Sequence, residues 1–216
     1  MKLVAISDTH RLHHKLEIPP CDVLVHAGDF SNRGSLFEAA DFLTWFSRQL
    51  APHKVLVCGN HDKIMEKEAR AMRVLTEGLG ITMLTHQAIK LYGYKFYGTP
   101  YTPRFGCDWA FQTKRSPKAA KKVWGQIHQN TDILITHGPP KGILDRNIEG
   151  HSCGCPVLTE QVLMRVKPKL HIFGHIHESR GYKKVDQTEF YNVASRERLR
   201  DEVRPPTVIE LENLNV

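Results

Sequence analysis

The sequence lacks any run approaching the roughly eighteen unbroken apolar residues that a membrane-spanning helix needs. Its opening, MKLVAISDTH, also lacks the long apolar region and small-residue cleavage site of a secretory signal, which predicts a cytoplasmic protein with no membrane partner. Cysteine is scarce, and Cys21, Cys58, Cys107, Cys153 and Cys155 are an odd, scattered set that suits reduced thiols better than a disulfide framework. The CxC of Cys153 and Cys155 has no partner pair at finger-like spacing, so structural zinc is not expected there. Internal repeats, low-complexity tracts and linkers rich in Pro or Gly are missing too, which predicts one domain over residues 1–216. Acidic residues are in deficit: 23 Asp and Glu against 30 Lys and Arg leave a net charge of +7, which favours anionic partners such as phosphate compounds. Charge alone does not decide for nucleic acid, and the basic stretch KRSPKAAKK (Lys114 to Lys122) reads as a solvated helix.

What is present is a core-forming content of 41% hydrophobic residues, arranged in short β-branched runs that stop abruptly at polar residues. KLVAIS runs into Asp8 and His10, DVLVHAG into Asp29, HKVLVCG into Asn60, His61 and Asp62, TDILIT into His137, and KLHIFG into His175 and His177. Helix-like spacing separates several of them, in SLFEAADFLTWFSRQL (Ser35 to Leu50) and in VLTEQVLMRV (Val157 to Val166), where Thr159 is the candidate cap. This is an alternating α/β chain, and in such chains ligands collect beyond the carboxyl ends of the strands.

His175 and His177, two apart on an extended segment, point the same way and can reach one small object. Asp8, His10, Asp29, Asn60 and His137 add to them a mixed oxygen and nitrogen donor set too large for one ion. Two ions sharing a carboxylate would use all seven, with Asp29 as the natural bridge, and a pair about 3.5–4 Å apart suits phosphoryl transfer. Imidazole with carboxylate and amide oxygen suits Mn, Fe, Zn or Co better than Mg or Ca.

DTH, GDF, GNHD, THGPP and GHIH, in this order and each after a predicted strand, resemble the signature set of the calcineurin-like metallophosphoesterases. IPPCDVLVHAGDFSNRG, YGTPYTPRFG, THGPPKGILD and RVKPKLHIFGHIHE resemble the MPPED-type branch, covering most of residues 1–195. The resemblance implies a four-layer α/β/β/α sandwich with two central mixed sheets, and hydrolysis of phosphodiesters such as cyclic nucleotides. It assigns Asp8, His10, Asp29 and His177 to a first metal and Asn60, His137, His175 and the shared Asp29 to a second, Mn foremost. His175, absent from weakly active members of that branch, is present; Arg11 departs from the glycine common at its position and is expected to face solvent.

Next to Asn60, His61 is expected to face the substrate as general acid, with Asp62 holding its other ring nitrogen, while a metal-bridging hydroxide attacks phosphorus. His26 and His171, inside apolar runs, read as hydrogen-bonded strand residues, and His13 and His14 as a solvated turn. The aromatic segment Tyr97 to Phe111 reads as an ordered loop walling the cleft, with a base stacked on Tyr101, Phe105 or Trp109 a lesser expectation than core packing. The alternatives are a nuclease or end-processing phosphatase acting on DNA or RNA, and a nucleotide-binding protein with little turnover.

Overall fold

Strands whose every residue is apolar must be covered on both faces, and that requirement shapes the molecule. The computed structural model describes residues 1–197 and 202–212. In chain order its elements are β1 (Lys2–Ile6), β2 (Val23–Ala27), α1 (Leu36–Ser47), β3 (His53–Val57), α2 (Lys63–Lys67), α3 (Ala69–Gly78), β4 (Ile81–Met83), β5 (Gln87–Leu91) and β6 (Tyr94–Thr99). There follow β7 (Thr102–Pro103), β8 (Gln112–Thr113), α4 (Pro117–Trp124), β9 (Ile133–Thr136), α5 (Pro156–Glu160), β10 (Leu170–Phe173), β11 (Gly181–Val185), β12 (Thr188–Asn192) and β13 (Thr207–Glu210).

Two large mixed sheets result, in the orders β13-β1-β2-β3-β4 and β11-β12-β10-β9-β6-β5, with β7 and β8 as a separate pair. β1 to β4 run parallel with β13 antiparallel at the edge, and β6, β9, β10 and β12 run parallel between antiparallel β5 and β11. Alternation along β1 shows how the layers form. Leu3 and Ala5 join Val23, Val25, Val55 and Val57 in a core shared with Phe96, Ile133, Ile135 and Ile172 of the other sheet. Val4, Leu24 and Leu56 face the opposite way, onto Phe42, Leu43 and Phe46 of α1. On the far side, Leu134 and Phe173 pack with Trp124 of α4 and Leu158 of α5. The expected four-layer α/β/β/α sandwich is the one formed.

The helix expected from Ser35 is α1, opened by a full capping box: Ser35 accepts from the Glu38 N–H and Glu38 reaches back to the Ser35 N–H. The stretch Val157 to Val166 differs from expectation. Regular α-helix stops at Glu160 and continues as a π-turn over Gln161–Val166. Cys155, not Thr159, stands at the N-cap, because Pro156 takes the first helical position; the Thr159 hydroxyl donates instead to carbonyls of Cys155 and Lys141. All five cysteines are free, and no helix among the described residues is long and apolar enough to cross a membrane.

Candidate metal centre

Five strand ends converge from the two sheets: β1, β2 and β3 of one deliver Asp8, His10, Asp29 and Asn60, while β9 and β10 of the other deliver His137, His175 and His177. The two sets of ligating atoms that emerge, Asp8, His10 and His177 and then Asp29, His137 and His175, each lie within 4.8 Å of one another. Asp29 also joins His10 and His61 at that spacing, and the His175 N–H donates to Asp8 Oδ2 at 2.9 Å, so the sets abut. Asn60 enters through Oδ1, 3.0 Å from His137 Nε2.

Hydrogen bonding behind the imidazoles decides which nitrogen faces inward. His137 Nδ1 donates to the Ala27 carbonyl (2.9 Å) and His10 Nδ1 to that of Ser31 (3.0 Å), since a carbonyl only accepts. In the neutral rings Nε2 then carries a lone pair, and around His137 Nε2 stand two more acceptors, Asn60 Oδ1 and Asp29 Oδ2 at 3.2 Å. His10 Nε2 faces His177 Nε2 at 3.3 Å, and Asp8 Oδ1, buried and accepting no hydrogen bond, lies 3.3 Å from the same His177 nitrogen. Buried acceptors gathered in this way are costly unless a proton or a cation lies among them, so the donor set suits a divalent cation.

The electrostatics agree. Burial disfavours a charged His137, yet the charge and contact of Asp29, with Asp8 behind it, more than reverse this and hold the imidazole up at about 9. Burial raises the Asp8 carboxyl, but the close approach and charge of His177 outweigh it and hold the group well below the carboxylate range. For Asp29, burial is likewise outweighed, chiefly by His137. Burial keeps His10 down at about 4 and His175 at about 3. The protein thus stabilises positive charge among these carboxylates, the condition a bound cation would meet.

The loops reach this geometry through unusual backbone. Asp8 (φ 51), His10 (φ 42), Asp29 (φ 58) and His175 (φ 69) all occupy the left-handed region, a strain that clusters at functional sites. Two glycines are obligatory for a different reason: a Cβ at Gly174 would collide with the Asp8 carboxylate, and one at Gly59 with that of Asp29.

His61 lies beside the ligands, its Nε2 4.0 Å from Asp29 Oδ2, with its backbone N–H donating to Asp29 Oδ1. The expected partner for its second nitrogen is corrected: Nδ1 donates to the Asn32 carbonyl at 2.6 Å, not to Asp62. Asp62 is fully buried and points away, accepting from the N–H groups of Gly59, Asp29 and Ser31 and from the Ser31 hydroxyl. It ties the loop after β2 to the loop after β3. Burial and the Asp29 charge push its carboxyl up to about 7. Nothing in the sequence marks Asn32, which contributes a backbone carbonyl, or Ser31, which adds its N–H and hydroxyl to its carbonyl.

A cavity of about 500 Å³ opens over the ligands, lined also by Asn32, Phe105, Arg115, Asn147 and Arg196. Of the aromatic segment, Tyr97 and Phe111 are buried and Tyr101 packs partly buried against the core, but Phe105 and Trp109 depart from the core packing expected of them: Phe105 is 46% exposed with its ring 5.2 Å from that of His175, and the Trp109 ring lies 4.3 Å from that of His61. Arg11 is half exposed and 3.9 Å from Glu38. His26 and His171 are buried strand residues bonded to Thr9 and Thr136. His13 departs from the solvated turn expected of it: it is fully buried against Phe42 and Trp45, and only His14 is exposed.

The calcineurin-like phosphoesterase family profile matches residues 1–179. The human Metallophosphoesterase domain-containing protein 1 is 32% identical over 234 residues, spanning 97% of this chain and 71% of that protein. A UPF0046 protein of Caenorhabditis elegans is 34% identical over 213 residues, 90% of this chain and 75% of its own length. A crystal structure of a Thermus thermophilus protein superposes with a TM-score of 0.57 at 13% identity, covering 88% of each chain, a likeness of fold.

Proposed function

Because the chain belongs to the calcineurin-like phosphoesterase family, in the branch of the metallophosphoesterase domain-containing proteins, we propose that it hydrolyses small phosphodiesters such as cyclic nucleotides with two metal ions. The observation that carries this reading is the meeting of His137 Nε2, Asn60 Oδ1 and Asp29 Oδ2 next to the Asp8, His10 and His177 set. Asp8, His10, Asp29 and His177 would hold one divalent transition-metal ion and Asn60, His137, His175 and the shared Asp29 the other, Mn foremost and Fe, Zn or Co as substitutes. When bound, such ions supply charge to the non-bridging phosphate oxygens and activate the attacking water.

The remaining chemistry falls to the chain itself. His61 is fixed by the Asn32 carbonyl so that Nε2 is the free nitrogen at the ligand side, where a protonated ring can hand its proton to a departing alkoxide. Asp62 acts through position: the hydrogen bonds it accepts hold the turn that presents Asn60 and His61 against the loop of Asp29. The cavity volume of about 500 Å³ is within the range of small-ligand sites, which favours a mononucleotide-sized diester over a polymer.

Purified protein supplied with Mn is to be assayed on a nitrophenyl monoester, a nitrophenyl diester, 2',3'- and 3',5'-cyclic nucleotides and single-stranded oligonucleotides. Diesters should be cleaved well ahead of monoesters, and cyclic nucleotides ahead of oligonucleotides. A monoester preference, or oligonucleotide cleavage exceeding all small substrates, overturns the reading.

A further inference from the structure

A second cluster of ligating side chains lies outside the centre just described. His13 and His14 occupy a single 3₁₀ turn, His13–Lys15, that follows the loop bearing His10, and Asp41 faces them from α1. His14 Nε2 is 3.1 Å from Asp41 Oδ1, His13 Nε2 is 3.4 Å from Asp41 Oδ2, and one ligating atom of each of the three lies within 4.8 Å of the others.

His13 is the unusual member. It is fully buried, yet neither ring nitrogen makes a hydrogen bond, and its ring packs 4.2 Å from that of His14 and 5.1 Å from Trp45. A buried imidazole with two unpaired nitrogens leaves a polar group without compensation. Burial, reinforced by His14, also pushes it down to about 4, so it is a neutral ring with a lone pair available at neutral pH. The nearby Arg11 guanidinium, which would repel a cation, lies 3.9 Å from the Glu38 carboxylate.

We propose that His13, His14 and Asp41 form a separate site for a divalent late-transition ion, zinc by chemistry. Two imidazole nitrogens and one carboxylate make the N,N,O set that zinc accepts with a fourth position left to water. His14, 56% exposed, gives that position access to solvent. Such an ion fastens the turn after His10 to α1.

The test is equilibrium dialysis of the full chain against micromolar Zn²⁺ with elemental analysis, comparing wild type with His14→Ala and Asp41→Ala. Both positions are partly exposed, so the folds should persist, whereas His13→Ala would open the core. Wild type should hold one more zinc per chain than either variant, and zinc should raise its thermal midpoint more than theirs. Because only the difference is read, the result is independent of how many ions the larger centre holds. Equal zinc content in wild type and either variant overturns the site. Hydrolytic activity with Mn should be unchanged in His14→Ala, since that residue touches no ligand of the larger centre; loss of activity with unchanged zinc content would likewise overturn the assignment.

Discussion

His61 stands at ligand spacing from His10 and Asp29 but is proposed to bind no metal, and this separates its role from theirs by experiment. In His61→Ala, metal content should match that of wild type. A nitrophenolate departs without a proton, so the nitrophenyl diester should lose little. A ribose alkoxide needs one, so cyclic nucleotide hydrolysis should fall on the order of 10²- to 10⁴-fold, the usual worth of general acid catalysis. Equal losses on the two substrates would make His61 a positioning residue. The Asn32 carbonyl is what gives the residue this capacity, because it occupies Nδ1 and leaves Nε2 as the only nitrogen for transfer.

At the scale of elements, the site depends on short loops between strand ends and helices that hold those loops. α1 follows the Asp29 loop, and its first turn is closed by Ser35 and Glu38, with Glu38 also accepting from the Arg33 N–H. Ser35→Ala leaves the Glu38 N–H unpaired and should lower stability by about 1 kcal/mol, measurable by urea unfolding. Glu38→Ala should cost more, because it removes the partner of two backbone N–H groups and of Arg11. A Ser35 variant as stable as wild type would mean that packing of Phe42, Leu43 and Phe46 alone determines α1.

For the whole molecule, pH and salt act through groups that the fold has buried or exposed. Burial holds His26 and His171 at about 3, below the ordinary histidine value of 6.5. His171 shows why: Thr136 donates to the Gly138 carbonyl and so accepts from His171 Nε2–H, leaving buried Nδ1 with no acceptor for a second proton. Above pH 6.5 both native and unfolded chains are neutral at these positions and the pH dependence is absent. As pH falls from 6.5 towards 3 only the unfolded chain takes up the protons, so stability falls by about 1.4 kcal/mol per histidine per pH unit. Urea midpoints measured from about pH 7 to about pH 4 should show the decline, and His171→Phe should reduce its slope by about one proton. Salt tests the basic surface. A mononucleotide held in the cavity makes few phosphate contacts, so its affinity should fall only shallowly with salt, while a nucleic acid partner would show a log-log slope of several units. Tight oligonucleotide binding with the steep slope would favour the nuclease alternative.

The sequence by itself determined five of the strands and the inventory of candidate ligands. Short apolar runs buried on both faces are local patterns, and so are the polar residues that end them; β1, β2, β3, β9 and β10 stand where those runs predicted. The helix from Ser35 was legible because its apolar spacing of three and four is a local pattern. What the tertiary structure alone decided was which atoms meet across the gap between strand ends. That His61 bonds to Asn32 instead of Asp62 depends on two loops 29 residues apart coming into register, and Asp62 is turned away by backbone N–H groups that no side-chain pattern encodes. Thr159 lost the cap to Cys155 because Pro156 takes the first helical position, where the bridge between Pro140 and Cys155 holds the chain. The sequence around His13 predicts a solvated turn, yet α1 folds over it and places Phe42 and Trp45 on its ring. Hydrophobic periodicity is a property of consecutive residues, whereas hydrogen-bond partnership and burial of a loop residue depend on elements distant in the chain, and only packing brings those together.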